Sequence, residues 1–224
     1  ARRWSVTALQ ATPSTWRMLL DHGDTQALAG CKCLCGGEAL APELAARMLE
    51  AIGPVWNLYG PTETTIWSAR YRLDIEHPRP LLGRPIGNTQ LHVVGADFGP
   101  VPEGVAGELM IGGQGLARGY LYRASLTAER FLPNPFSNQG ERLYRTGDVA
   151  RLNVGGEYEY ISRADHQVKI RGFRIELGEI ESALLGCEAV REVVVVAQPG
   201  IGGDQLVGYV VAHDPALAQA DSVT

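Results

Sequence analysis

Apolar and polar positions along the chain change period twice, marking three stretches. In the first, residues 4–10 (WSVTALQ) read as a buried strand. Thr12-Pro13 then opens a helix through Leu20, with threonine as N-cap and proline at the first helical position. Residues 31–35 form a second short strand that Gly36-Gly37 break, and Pro42 to about Ala51 reads as an amphipathic helix. Pro54-Val55-Trp56-Asn57 leads into a third strand ending at Tyr59-Gly60-Pro61. This strand–helix–strand alternation predicts the edge of a parallel α/β layer over residues 1–65.

From residue 66 to 162 short apolar runs (66–71, 91–94, 107–111, 149–152, 157–162) alternate with Gly and Pro, which predicts a β-rich subdomain or distorted barrel. Only Ser125 to Phe131 has a helical pattern there. After Arg163 the pattern predicts a short hairpin, a helix around Leu177–Leu185, and strands at Val190–Ala197 and Leu206–Val211. The expected organisation is a large α/β plus β-rich portion, 1–162, followed by a small α+β domain, 163–224, cut off before completion.

Composition narrows the class. A net charge of −5 argues against a nucleic-acid or membrane-surface partner. No apolar run approaches the roughly 18 residues of a membrane span. The chain begins Ala-Arg-Arg without a signal-peptide pattern, so it reads as an excised piece of a longer protein, cytoplasmic by default. Of its 224 residues 27 are glycine, above the average share of about 7%, as expected where turns approach a ligand. Cys31, Cys33 and Cys35 line one face of a strand and read as core, because no Cys/His cluster completes a zinc site. His22, His77, His92 and His213 read as surface or structural.

Three strings carry chemistry. In NLYGPTET (57–64), Tyr59 offers a flat face to an adenine, Asn57 a donor and acceptor for its edge, and Thr62 with nearby N–H groups a phosphate contact. Glu63 is a hard oxygen ligand of the kind Mg²⁺ takes beside phosphate. LYRTGD (143–148) ends a short strand with Asp148, suited to two ribose hydroxyls. Alone, either string also reads as a simple turn. The third, RADHQVKIRGFRIELGEIE (163–181), sets Arg163, Asp165, Lys169, Arg171 and Arg174, then Glu176, Glu179 and Glu181, among interleaved apolar residues. That makes a segment anchored on one side and polar on the other.

With CGGEAL (35–40), GELMIGGQGLARGYL (107–121) and LTAERFLPNPF (126–136), these strings closely resemble the adenylation domain of nonribosomal peptide synthetases. That family belongs with acyl-CoA synthetases and firefly luciferase among adenylate-forming enzymes. The resemblance implies the C-terminal half of that fold. It also implies activation of an amino acid by Mg-ATP to an aminoacyl-AMP, then transfer to phosphopantetheine on a carrier domain, with a condensation domain nearby. By resemblance Tyr59 and Asn57 meet adenine, Gly60 lies in the same nucleotide loop, Thr62 meets the α-phosphate, and Glu63 holds Mg²⁺. Asp148 meets the ribose, and Tyr160 and Arg163 line the nucleotide. Asp165 matches the hinge about which the small domain turns between half-reactions. Lys169 and Gly172 match the loop that enters for thioester formation, a sensible way to run two reactions in one site. The family's phosphate loop, its C-terminal lysine and its substrate-amine aspartate are absent from the chain, so the chain alone is expected to be inactive.

The pocket positions that match are Gln10, Leu34, Gly36, Leu58, Ile66 and Trp67. Large walls and no charged group suit a very small amino acid, and the set resembles that of glycine-activating domains: glycine first, alanine second. Two other readings stay open at this stage: an acyl- or aryl-CoA ligase of the same superfamily, and a non-catalytic nucleotide-binding or partner-interaction fragment.

Overall fold

The structure is a computed structural model that describes residues 5–23, 25–28, 30–165, 167–170, 172–200 and 203–213. The chain divides into two compact units, residues 1–165 and 166–224. Of the expectations above, those on Trp4 and Arg171 lie outside the described residues.

The first unit opens with three parallel strands in chain order: β1 (Ala8–Ala11), β2 (Lys32–Gly36) and β3 (Val55–Tyr59). Helices α1 (Pro13–His22) and α2 (Pro42–Ile52) make the two crossovers. Thr12 caps α1, its hydroxyl accepting from the Thr15 N–H at 3.3 Å, and Pro13 stands in the first turn, where no N–H is missed. Glu38 adds a second cap from the loop after β2: its Oε2 accepts from the Ser14 N–H at 3.1 Å and the Ser14 hydroxyl at 2.7 Å. The first strand is shorter and more exposed than residues 4–10 suggested, because β1 is the sheet edge and has a neighbour on one side only. Strands β4 (Ala69–Leu73) and β5 (Arg84–Pro85) then extend the same sheet antiparallel, although they follow residue 66, where a separate β-rich region was expected to begin. The turn after Tyr59 folds the chain straight back beside β3, so the first sheet claims them.

Register divides the faces of this sheet. Leu9, Cys33, Cys35, Val55 and Leu73 point to the helices, packing with Trp16, Leu44, Met48 and Leu49. Burial pushes the Cys35 thiol up to about 12, and the charge of Glu38 adds to the shift, as befits an unreactive core thiol. Gln10, Leu34, Gly36 and Leu58 share the opposite face, since Gln10 pairs with Leu34 and Gly36 with Leu58.

A second, antiparallel sheet follows in the order β10 (Tyr158–Arg163), β9 (Arg142–Leu152), β7 (Gly107–Gly113), β6 (Thr89–Val94). Short β8 (Phe131–Pro133) also pairs with β9 after helix α3 (Ala124–Arg130). Leu82, Leu91, Val93, Leu109, Ile111 and Ala150 build its core with Ala69 of β4, and Tyr59 packs on it. The second unit contains hairpin β11–β12 (Gln167–Ile170, Phe173–Glu176), helix α4 (Leu177–Leu185) and the long hairpin β13–β14 (Val190–Gly200, Gly203–Ala212). Helix α4 is tied to β13 where the Val195 N–H donates to Glu181 Oε1 at 2.8 Å. Among the described residues no helix is long and apolar enough to cross a membrane.

Candidate functional site

The loop from β3 to β4 is built by backbone constraint. Gly60 sits so close to the returning chain that a Cβ would meet the Ile66 carbonyl oxygen at 2.5 Å and the Ser68 nitrogen at 2.8 Å. Residues Thr62–Thr64 form one 3₁₀ turn, after which Thr65 (φ 61°) and Ile66 (φ 71°) both adopt the left-handed region. For a β-branched residue such as isoleucine this is an uncommon, strained conformation, held where the surroundings over-determine it. Here the Ser68 N–H donates to the Tyr59 carbonyl at 2.7 Å, and the Thr64 and Ser68 hydroxyls meet at 2.6 Å. Thr62 is exposed, while Glu63 is 8% exposed and its Oε1 accepts from the Tyr120 hydroxyl at 2.6 Å. Burial, then the bond to Glu63, raises the Tyr120 phenol far above its usual range, so it remains a donor.

Asp148 does not end its strand, as the sequence suggested. β9 runs through it to Leu152, absorbing Gly147 at φ +74° as a bulge where the β7 register skips between Glu108 and Met110. A second bulge at Ile161 in β10 has a useful consequence. It keeps Tyr160 and Arg163, three residues apart, on the face that carries Asp148, with Tyr160 opposite Ala150 and Arg163 opposite Asp148. Arg163 Nη1 donates to Asp148 Oδ1 at 2.8 Å, and its Nε and Nη2 donate to the two oxygens of Asp165 at 2.7 Å each. The Tyr59 hydroxyl donates to Asp148 Oδ2. Burial and the Asp148 charge push the Tyr59 phenol up, and the same two causes raise Tyr160. Tyr59, Asp148, Tyr160, Arg163 and Asp165 therefore form one cluster. Asn57 stands apart from it: its Nδ2 donates to the Leu81 carbonyl at 2.8 Å, and the residue is 8% exposed.

Of the six pocket positions, four share one sheet face, and the loop supplies the others. Trp67 lies over Gly36: a Cβ there would meet the indole Cη2 and Cζ3 at 2.7 Å and the Leu58 carbonyl oxygen at 2.5 Å. Ile66 is 59% exposed beside it in sequence, Leu34 and Leu58 are half-buried, and Gln10 is exposed. In the second unit Lys169 lies on β11 and Gly172, at φ +83°, turns β11 into β12. Sequence reasoning named no site residue in the LARGYL run. Its contribution is Tyr120, and the only sequence signal was the presence of that run among the resembling strings.

A profile of the AMP-binding enzyme family matches residues 1–121. The chain belongs to the AMP-binding enzyme family. Among members of this family it is 47% identical over 220 residues to the dimodular nonribosomal peptide synthase of Bacillus subtilis (strain 168), covering 97% of this chain and 9% of that protein. A holo four-domain nonribosomal peptide synthetase crystallised with AMP and glycine is 46% identical, with TM-score 0.67 over 96% of this chain and 16% of that one. An artificially fused adenylation–PCP di-domain from Klebsiella oxytoca is 27% identical, with TM-score 0.81 over 96% of this chain and 44% of that one. The fold is thus that of adenylate-forming enzymes, and the chain spans a minor share of each relative.

Proposed function

We propose that this chain is part of a nonribosomal peptide synthetase adenylation domain. It would convert glycine and ATP to glycyl-AMP and pyrophosphate, then pass the glycyl group to the phosphopantetheine thiol of a carrier domain. A condensation domain would use the product. The observation that supports the substrate is Trp67 lying over Gly36, in a chain 46% identical to a synthetase bound to AMP and glycine. A wall closed in this way excludes by volume, because added methylenes would clash.

The nucleotide reading rests on the Asp148 cluster. The Asp148 carboxylate is an acceptor for ribose hydroxyls, and Arg163 and Tyr59 fix its orientation from either side. Tyr59 and Tyr160 offer rings to the base, both protonated through neutral pH and beyond. Asn57, on the strand that ends at Tyr59, is assigned by the family resemblance to the adenine edge, although its Nδ2 donates to the Leu81 carbonyl here. Thr62, exposed on the 3₁₀ turn after Gly60, offers its hydroxyl to the α-phosphate. Glu63 fits a magnesium ion, being a hard carboxylate donor held in place at a loop. When bound, Mg²⁺ neutralises charge on the phosphates. Asp165, held by Arg163 at the last residue of the first unit, is the hinge, and Lys169 and Gly172 act in the thioester half-reaction.

Amino-acid-dependent ATP–pyrophosphate exchange, measured on the protein encoded by the complete reading frame, tests this. Exchange is expected with glycine, weakly with alanine, and not with larger amino acids. Preference for a bulky amino acid would remove the glycine assignment, and exchange with none would remove the activity.

A further inference from the structure

Glu63 is held by residues far from it in sequence. The segment after β7 is strapped along its loop: the Ala117 N–H donates to the Glu63 carbonyl at 2.8 Å, and the Thr65 hydroxyl to the Gly115 carbonyl at 2.7 Å. Arg142 fastens the same segment to β9, donating to the Ala117 and Arg118 carbonyls at 3.0 and 3.1 Å. At its end stands Tyr120. Its ring packs edge-on against Phe131 at 5.7 Å, its N–H donates to the Thr127 hydroxyl at 2.9 Å, and its hydroxyl lies 3.4 Å from that of fully buried Tyr144. A ring fixed in this way directs its O–H to Glu63 Oε1 at 2.6 Å.

We propose that Tyr120 is a positioning residue that sets the Glu63 carboxylate for a divalent cation bound with the nucleotide; this rests on the reading of Glu63 as a cation ligand. A free glutamate side chain samples many rotamers, and ordering one opposes binding. A rigid phenol donating to one oxygen removes most of that freedom before the cation arrives. Donors of this outer kind tune cation affinity by about 10–100-fold.

The test uses the protein encoded by the complete reading frame, with Mn²⁺ as probe. Mn²⁺ binding in the presence of ATP is followed by electron paramagnetic resonance, so the readout does not depend on turnover. Tyr120→Phe, which keeps the ring, is expected to weaken Mn²⁺ binding about tenfold while thermal unfolding stays near wild type. In a Glu63→Gln background the same change is expected to add nothing, because the two act through one carboxylate. Additive losses, or unchanged Mn²⁺ binding in Tyr120→Phe, overturn the proposal. Should Tyr120→Phe fail to fold, 3-fluorotyrosine at position 120 substitutes for it. This stronger donor in almost the same volume should hold Mn²⁺ at least as tightly as tyrosine, and weaker binding would count against the proposal. Absence of ATP-dependent Mn²⁺ binding in the unaltered protein is a separate outcome: it removes the nucleotide reading itself.

Discussion

The indole of Trp67 lies over Gly36, its Cη2 and Cζ3 2.7 Å from where a Cβ on that glycine would stand, and the proposed pocket is tested at this contact. Trp67→Ala, made in the protein encoded by the complete reading frame, is expected to raise kcat/KM for residues larger than glycine by about tenfold or more per methylene admitted. Amino-acid-panel kinetics check this, and unchanged selectivity would remove Trp67 from the pocket. His92 offers a second test, of stability. Its ring stacks on Phe136 at 4.5 Å, its Nε2 is buried, and burial lowers its pKa below the usual 6.5. The unfolded chain therefore takes up the proton first. Stability is fully present above pH 6.5 and declines as pH falls through 6.5 and on through the lower folded value. His92→Phe is expected to flatten the dependence of Tm on pH between 7.5 and 5, relative to wild type; an identical slope would assign the acid loss to other groups. Tyr120 was not legible at this scale, because its meaning comes from a partner 57 residues away and no local pattern encodes that distance.

At the scale of elements, β9 shows both what local patterning reveals and where it stops. Helix α1 was legible because Thr12-Pro13 states its own cap, and α4 because its apolar period runs unbroken from Leu177 to Leu185. The strand through LYRTGD was read as ending with Asp148, just after its glycine. A bulge can instead hold a left-handed glycine inside a strand whose partners on both sides supply the remaining pairing. Strands β4 and β5 were expected in the β-rich region and instead join the first sheet for a related reason, since alternation marks a strand but not its neighbour. The bulge has a measurable weakness. A Cβ on Gly147 would meet Asp165 Oδ2 at 2.7 Å and Arg163 Nη2 at 2.8 Å, at a φ that L-residues avoid. Gly147→Ala is expected to destabilise the first unit by about 1–3 kcal/mol, read from the urea midpoint. It should also weaken AMP binding in calorimetry; a variant matching wild type in both would deny the bulge its role.

The whole chain is uneven in how well it is held. The first unit has three buried apolar clusters, whereas among its described residues the second buries only Ile170, Leu177 and Val195 as apolar side chains. Stability drawn from so few side chains is expected to fail first. In hydrogen exchange on the 224-residue chain, amides of β13 and β14 should exchange at least about tenfold faster than those of β9. Equal protection, with a single calorimetric transition, would show that the two units unfold together. The first sheet also gives the molecule a freedom of a different kind. Its helix-backed face keeps the unit folded, while Gln10, Leu34 and Leu58 stand on the other side. Under the proposed reading, exchanging those three side chains is expected to retune the pocket to other amino acids without touching the helix-backed layer, with Gly36 fixed by the indole that lies over it.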